Sequence, residues 1–439
     1  MKMNITTPRI PSGFNEYLPA EQIEFNRLLD IVRSVYEKYG FAPLDTPILE
    51  LSEVLLAKGG GETEQQVYRF ERGRNDLTMR YDLTVPLARY VAQHEGVLTI
   101  PFRRYQIGKV YRAERAQAGR FREFYQCDID VIGSRSTLID AELPVIINEI
   151  FERFGFGEFT IRLNNRMILN GFFEALGLRE QSKDVLRVVD KIEKISVDSF
   201  VDELTQLGLT QEQIVTLQTF VSLSGTNDEV LASLESLGID SPDFRLGVEK
   251  LSELVASLRA MKVPESRFLI DLKIARGLDY YTGTVYETIL DEHPSIGSVC
   301  SGGRYDDLAS RYSKTQLPGV GVSIGLTRLF YQLKEAGLVT ADTQSLARVV
   351  VLPMTPAEYS LAGEVATVLR SAGVATVLYS EPNDLSKKMK YVDKMGCQYA
   401  VVIGADEARN GVVSIKDMRS GEQHQAPLDD FVASLADLK

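Results

Sequence analysis

The chain has 439 residues, a net charge of −12, and an ordinary balance of 44% apolar and 25% charged residues. That length suggests two to three domains with a sizeable core. The acidic total excludes a simple coating protein for nucleic acid, which would be basic overall. Three separated cysteines (Cys127, Cys300, Cys397) argue against a disulfide framework and fit a reducing, cytoplasmic setting. Three scattered histidines make a His/Cys zinc site an unpromising reading. No apolar run approaches the roughly 20 residues that span a bilayer, so no membrane association is expected. The opening MKMNITTPRIPSGF lacks an apolar signal core, so export is not expected either.

Residues 20–39 place Ile23, Leu28, Val32, Val35 and Tyr36 near one helical face, and Gly40 stops that helix. FAPLDTPILE reads as an extended segment broken by Pro43 and Pro47. Short strands are expected within QQVYRFE and LTMRYD, then a helix over LTVPLARYVAQH with Pro86 in its first turn. RRYQIGKVYRAE and EFYQCDIDVIG alternate like two antiparallel strands around a polar loop. A helix (LIDAELPVIINEIFERFG) and a strand (FTIRLNN) follow. From about residue 167 to 265 Leu, Val and charges recur at helical spacing, which reads as a helical insertion. Strand signals return in RFLIDLKIARGLDYYTGTVYETIL and GSVCSGGRYDDL, and GVGVSIGLTRLFYQLKEAG reads as a strand running into a helix. From Ala347 the rhythm is strand, helix, strand, helix, strand, a small α/β domain.

Charge is uneven along this frame. Arg103–Arg122 holds seven Lys/Arg against one acid, Glu114, whereas Gly171–Glu265 holds 9 against 17 Asp/Glu. The basic stretch puts guanidinium groups at strand ends, suited to phosphate or to an ordinary salt-bridge network. Gln126, Asp128 and Asp130 lie two apart on one strand and so share a face, costly unless something polar satisfies them. Arg80, Asp82 and Thr84 repeat that spacing, and Asp82 is equally a helix cap. The glycines of GVGVSIGLTR read either as a phosphate loop without its lysine or as close packing. In DLSKKMKYVDKMG, Leu385, Met389 and Val392 form an apolar face opposite Lys387, Lys390 and Lys394. Those lysines are either a solvated face or an RNA contact. Taken together, separated strands ending in Arg, Asp, Gln or Tyr beside glycines describe a polar ligand cradled on an antiparallel sheet.

IARGLDYYTGTVYE and CSGGRYDDL resemble two signatures of the histidyl-tRNA synthetase family. VYRAERAQAGRFREFYQCDIDVIG resembles motif 2 of the class II synthetases, GVGVSIGLTRL resembles motif 3, and Pro47 matches the motif 1 proline. RIPSGFNEYLPAE is similar to the family's N-terminal opening, so the resemblance runs over nearly the whole chain. It implies an α+β fold: a class II antiparallel sheet flanked by helices, with a helical insertion and a C-terminal α/β anticodon-binding domain. The implied boundaries are 1–166 with 266–335 for the catalytic core, 167–265 for the insertion and 345–439 for the anticodon-binding domain. The implied reaction joins L-histidine and ATP into histidyl-adenylate, then passes histidyl to the 3′ end of tRNA(His). ATP with Mg²⁺, tRNA(His) and a homodimer are the implied partners, with no DNA.

Residue roles follow by the same resemblance. Arg112 and Arg276 would hold the α-phosphate and Arg328 the γ-phosphate, with Glu114, Arg120 and Phe124 around the nucleotide. Asp82, Thr84 and Gln126 would take the α-ammonium. Asp130 and Tyr281 would read the imidazole, with Tyr280 and Tyr305 lining its pocket. Gln117 and Arg122 would meet the tRNA acceptor stem, and Lys387, Lys390 and Lys394 its other end. No metal ligand is assigned. The chain departs from the family at Thr327, where Glu is common, at Arg80–Leu83, where some members read Arg-Pro-Glu-Gly, and at Asp130, where some carry Glu. Two rivals share the core: a non-catalytic regulator of the ATP phosphoribosyltransferase of histidine biosynthesis, and a pseudo-synthetase domain of a regulatory kinase. The first lacks the C-terminal module and degrades the arginines, and no kinase signature is present for the second.

Overall fold

The computed structural model of the chain describes residues 6–57, 66–115, 119–189, 191–192, 195–274, 281–306, 310 and 312–436. The chain divides into two units, Met1–Asn15 with Leu29–Val339, and Glu16–Leu28 with Thr340–Lys439.

Helix α1 (Pro19–Lys38) follows the apolar spacing: Leu28, Val32, Val35 and Tyr36 are fully buried, and Gly40 ends the helix in the left-handed region. Ile23 is only half-buried, and Phe25 is buried in its place. The two prolines split the next segment into β1 (Ala42–Pro43) and β2 (Leu49–Leu51). Strand β2 joins β3 (Arg69–Arg72) and β4 (Asn75–Met79) in a three-stranded antiparallel sheet, ordered β2-β4-β3. Helix α2 (Thr84–His94) carries Pro86 in its first turn, where the missing N–H costs nothing.

The main sheet has eight strands. Strands β5 (Phe102–Tyr111) and β6 (Glu123–Ile132) form the expected antiparallel hairpin, in register from Tyr111–Glu123 to Phe102–Ile132. Helix α3 (Thr137–Phe154) is capped by the Ser136 hydroxyl and ends at Gly155, φ +72°. Strand β7 (Phe159–Asn165) has the bounds read from the sequence. After β8 (Phe268–Ile270) come β9 (Thr284–Leu290), β10 (Cys300–Tyr305) and β11 (Gly319–Ile324), and β11 runs into helix α4 (Leu326–Glu335). The order is β1-β5-β6-β11-β10-β9-β7-β8, antiparallel except for the edge pairs β1–β5 and β7–β8. Between β7 and β8 the chain is helical, from Arg166–Ala175 to Pro242–Ala260, with capping boxes at Thr210 and Thr226. Leu204, Leu217, Leu234 and Leu251 are fully buried there, so the acidic residues are the solvated side of amphipathic helices.

In the second unit β12 (Val349–Pro353), β13 (Thr376–Leu378) and β14 (Tyr399–Ile403) are parallel, as the alternation with helices requires. Two further strands, β15 (Val413–Asp417) and β16 (Gln423–Ala426), extend the sheet antiparallel and were not expected. Strand β12 is central and buried on both faces: Val349 and Val351 pack to one side, Val350 and Leu352 to the other. Helix α5 (Leu385–Met395) buries Val392 and packs Met389, but Leu385 is 38% exposed. Lys388 is buried instead: Nζ donates to the carbonyls of Pro353 (2.5 Å) and Met354 (3.1 Å). It satisfies the open end of β12, a role periodicity does not reveal.

Candidate active site

A cavity of about 440 Å³ lies on the main sheet, walled by β6, β10, β11 and the start of α2. The alternation of β6 builds its floor. Gln126, Asp128 and Asp130 face the cavity, while Cys127, Ile129 and Val131 are fully buried on the other side. From Phe124 to Asp130 the floor spans about 20 Å at about 3.3 Å per residue.

Asp130 is the most heavily supported of these groups. Its register partners are Arg104 on β5 and Gly321 on β11. Arg104 is fully buried and donates from Nη2 to Asp130 Oδ2 at 2.6 Å and to the Leu83 carbonyl at 3.2 Å. Tyr305 OH donates to Asp130 Oδ1 at 2.5 Å. Glycine is required opposite: a Cβ on Gly321 would lie 2.1 Å from Asp130 Oδ1, and one on Gly319 would lie 2.3 Å from the Tyr305 ring. Gly319 and Gly321 of GVGVSIG therefore make room for Tyr305 and Asp130, which is the close-packing reading. Burial pushes the Asp130 carboxyl up, and Arg104 and then Tyr305 oppose it.

Asp82 caps a helix and also lines the cavity. Oδ1 accepts from the Val85 N–H at 3.0 Å, capping α2, while Oδ2 is buried without a partner. Burial pushes its carboxyl up to about 6. Gln126 donates from Nε2 to Ser323 Oγ at 2.9 Å, leaving Oε1 buried and unpartnered. Asp128 Oδ1 is likewise unpartnered, and burial pushes that carboxyl up to about 7. A buried acceptor without a donor is costly, so these atoms mark where a ligand's donors belong. Thr84, Tyr281 and Tyr305 line the same cavity, and burial pushes the Tyr281 phenol well up.

At the loop end of the hairpin stand the cations. Arg112 donates from Nε to the Tyr81 carbonyl at 3.1 Å, and its guanidinium lies 5.1 Å from the Phe124 ring centroid. Arg328, exposed at the cavity wall, donates from Nη2 to the Ile296 carbonyl at 3.3 Å. Among the described residues neither arginine has a carboxylate partner. Arg120 is the most open, 4.0 Å from Glu114. Arg122 points elsewhere: Nε donates to the Glu114 carbonyl and Nη1 to that of Ser12, so it ties the loop to the N-terminal segment. Arg80 is also internal, held by the Thr46 and Lys109 carbonyls. Thr327, at the position where Glu is common, accepts from the Tyr125 N–H at 2.8 Å and so pins the start of β6. Arg276, Tyr280 and Gln117 lie outside the described residues.

Sequence reading missed Arg104 and Ser323. A hairpin that pairs Tyr111 with Glu123 must pair Arg104 with Asp130, so the signal was present in the register. Ser323 had no signal, because its place beside Asp128 needs the β6–β11 pairing.

Cations without carboxylate partners at one end of a cavity, and unsatisfied buried acids along a floor built on an antiparallel sheet, are the arrangement of a class II aminoacyl-tRNA synthetase. The family model described as histidyl-tRNA synthetase matches residues 13–329, and the one described as anticodon binding domain matches 348–438. The histidine–tRNA ligase of Clostridium tetani (strain Massachusetts / E88) is 52% identical over 436 residues, covering 98% of this chain and 99% of that one. That of Stenotrophomonas maltophilia (strain K279a) is 47% identical over 451 residues, covering 98% and 97%. The crystal structure of histidyl-tRNA synthetase from Nostoc sp. PCC 7120 superposes with a TM-score of 0.91 at 42% identity, covering 100% of both chains. The chain belongs to the histidyl-tRNA synthetase family.

Proposed function

We propose that this cavity is where L-histidine and ATP are joined. The protein is a histidine–tRNA ligase: it activates histidine as the adenylate, with release of pyrophosphate, and transfers histidyl to the 3′ end of tRNA(His). The carrying observation is the polarity of the cavity, with Arg112 and Arg328 free of carboxylate partners near the loop and buried acceptors on the β6 floor. Adenylate formation needs little covalent help from a protein, so positioning and charge stabilisation supply the rate. Arg112 holds the α-phosphate and Arg328 the γ-phosphate, with Arg120 and Glu114 beside the nucleotide. Phe124 offers adenine one ring face while Arg112 covers the other. The resemblance gives Arg276 the second contact to the α-phosphate. Mg²⁺ enters with ATP, neutralising phosphate oxygens. Its ligands would be the phosphates together with an acid near Asp128 or Glu114.

Asp82, Thr84 and Gln126 take the α-ammonium, and Asp130 and Tyr281 read the ring, with Tyr305 fixing Asp130; the resemblance gives Tyr280 to the same pocket. A pocket that hydrogen-bonds both ring nitrogens rejects analogues lacking them by roughly 10⁴-fold without editing. Histidine-dependent ATP–pyrophosphate exchange tests the whole reading, and its absence in purified protein would end it. Tyr281→Phe should raise KM for histidine by about tenfold, a lost hydrogen bond, and leave KM for ATP near its original value. Equal shifts in both would remove Tyr281 from the ring site.

We assign residues 1–166 and 266–335 to catalysis, 167–265 to the insertion, and 345–439 to the anticodon end of the tRNA. Lys387, Lys390 and Lys394 are exposed on α5 beside Tyr391, whose ring meets Tyr379 edge-on at 5.1 Å. They meet RNA phosphates there, and Gln117 and Arg122 belong to the loop that meets the acceptor stem. Replacing the three lysines by alanine should weaken tRNA binding and spare pyrophosphate exchange. The slope of log affinity against log salt should flatten by about 0.7 to 0.9 per lost phosphate contact. An unchanged slope would leave these lysines a solvated face. A homodimer would cover Ile48, Leu49, Leu51 and Phe70, large apolar side chains left more than two-fifths exposed on or beside the three-stranded sheet. No helix among the described residues is long and apolar enough to cross a membrane, and we place the protein in the cytoplasm.

A further inference from the structure

Three acceptor atoms of one cavity are buried and unpartnered: Asp82 Oδ2, Gln126 Oε1 and Asp128 Oδ1. Two belong to carboxylates. Among the groups of histidine and ATP, the α-ammonium alone brings three N–H donors and a positive charge. A neutral imidazole brings one N–H, and the adenine amino group brings two and no charge.

The orientation of Gln126 follows from its neighbours. Asp128 and Ser323 face each other across the β6–β11 pair, and the Ser323 hydroxyl holds the Asp128 carboxyl down against the effect of burial. A hydroxyl has one proton to give. With that proton on the carboxylate, Ser323 Oγ can only accept from Gln126, and it does so from Nε2 at 2.9 Å. The amide oxygen is thereby turned into the cavity.

We infer that Asp128 is a further acceptor for the α-ammonium of histidine and that, through Ser323, it also sets which end of the Gln126 amide the ammonium meets. Ser323 is then a positioning residue. The inference rests on the reading of the cavity as the histidine site. Charged and titratable groups around Asp128 agree with it. Arg104 on β5 pairs with Asp130 and also holds the Asp128 carboxyl down, whereas Asp130 and Asp82 are like charges that push it up. Tyr281 and, on β10, Tyr305 and Cys300 hold their protons, because burial raises all three. Among the described residues Asp128 makes no ion pair of its own, and its Oδ1 is left for a donor that the substrate would supply.

The test compares L-histidine with imidazole-propionate, the same molecule without its amino group, as ligands of the full-length protein in titration calorimetry or in competition with histidine. Asp128→Asn should weaken histidine binding by about 10- to 100-fold, the range for a hydrogen bond to a charged group. Binding of imidazole-propionate should change by less than about twofold. Ser323→Ala should weaken histidine by a few fold, again sparing the des-amino ligand, and it probes the same device if Asp128→Asn does not fold. Tyr281→Phe, which acts on the ring, should weaken both ligands. Equal loss of both ligands in Asp128→Asn and in Ser323→Ala would make the pair structural and overturn the inference. So would unchanged histidine binding in both variants. Failure of the unaltered protein to bind histidine would overturn the reading of the site itself.

Discussion

Replacing Arg112 by alanine should lower histidine-dependent ATP–pyrophosphate exchange by about 10²- to 10³-fold, the usual cost of removing one charge-stabilising group from a reacting centre. The guanidinium is aimed: the Tyr81 carbonyl takes Nε and the Phe124 ring lies against its face. Among the described residues no carboxylate neutralises it, so its charge is available to phosphate. Charge on the phosphate spreads in the transition state, so the loss should fall mainly on kcat, with a smaller rise in KM for ATP. Arg112→Lys should rescue little, because an ammonium cannot reproduce the planar fork or its fit against the ring. Thermal unfolding should be unchanged within about 1 kcal/mol, since no ion pair is broken. Exchange within tenfold of the unaltered protein would reduce Arg112 to a structural contact.

Arg104→Met should cost about 3–5 kcal/mol of stability and abolish histidine binding. Arg104 and Asp130 are a wholly buried pair at 2.6 Å, and removing one partner leaves an uncompensated charge in the interior. The pair itself need not add net stability, so Arg104→Met combined with Asp130→Asn should recover much of the loss. The pH signature has a definite sign. Burial already holds the Asp130 carboxyl above its unfolded value, and losing Arg104 raises it further. The ionised folded form is then penalised at high pH, so the destabilisation should be largest above the raised folded value. It should shrink as pH falls through that value and the carboxyl is protonated. Calorimetric unfolding of the two variants across pH 5 to 8 measures this. A single variant as stable as the unaltered protein, or a penalty that grows toward acid, would refute the ion-pair account.

Local features were legible because their causes are local. The apolar spacing of α1, the capped and glycine-ended α3, and the hairpin of β5 and β6 follow from period, caps and turns within a few residues. The site was legible in kind for the same reason: period 2 puts Gln126, Asp128 and Asp130 on one face whatever the sheet does around them. Lys388 was illegible because a lysine in a helical charge run looks solvated until the end of β12 is brought against it. Strand β16 was missed because it pairs at the sheet edge, where exposed Gln423, His424 and Gln425 carry no apolar alternation, and β15 because its alternation rests on Val413 and Ile415 alone.

The sequence by itself determined that this chain belongs to the histidyl-tRNA synthetase family and that its acidic strand carries Gln126, Asp128 and Asp130 on one face. Motif order and two-residue spacing are properties of the chain that survive any uncertainty in packing. Tertiary structure alone decided what each of those groups is free to do. Arg104 and Tyr305 reach Asp130 from two other strands and consume part of its capacity. Arg122 and Arg80 each spend two guanidinium nitrogens on backbone carbonyls, whereas Arg112 and Arg328 each spend one. Ser323 meets Asp128 only because β11 lies beside β6, 195 residues later in the chain. Whether a charge is spent or available depends on neighbours within about 4 Å, and those neighbours are distant in sequence.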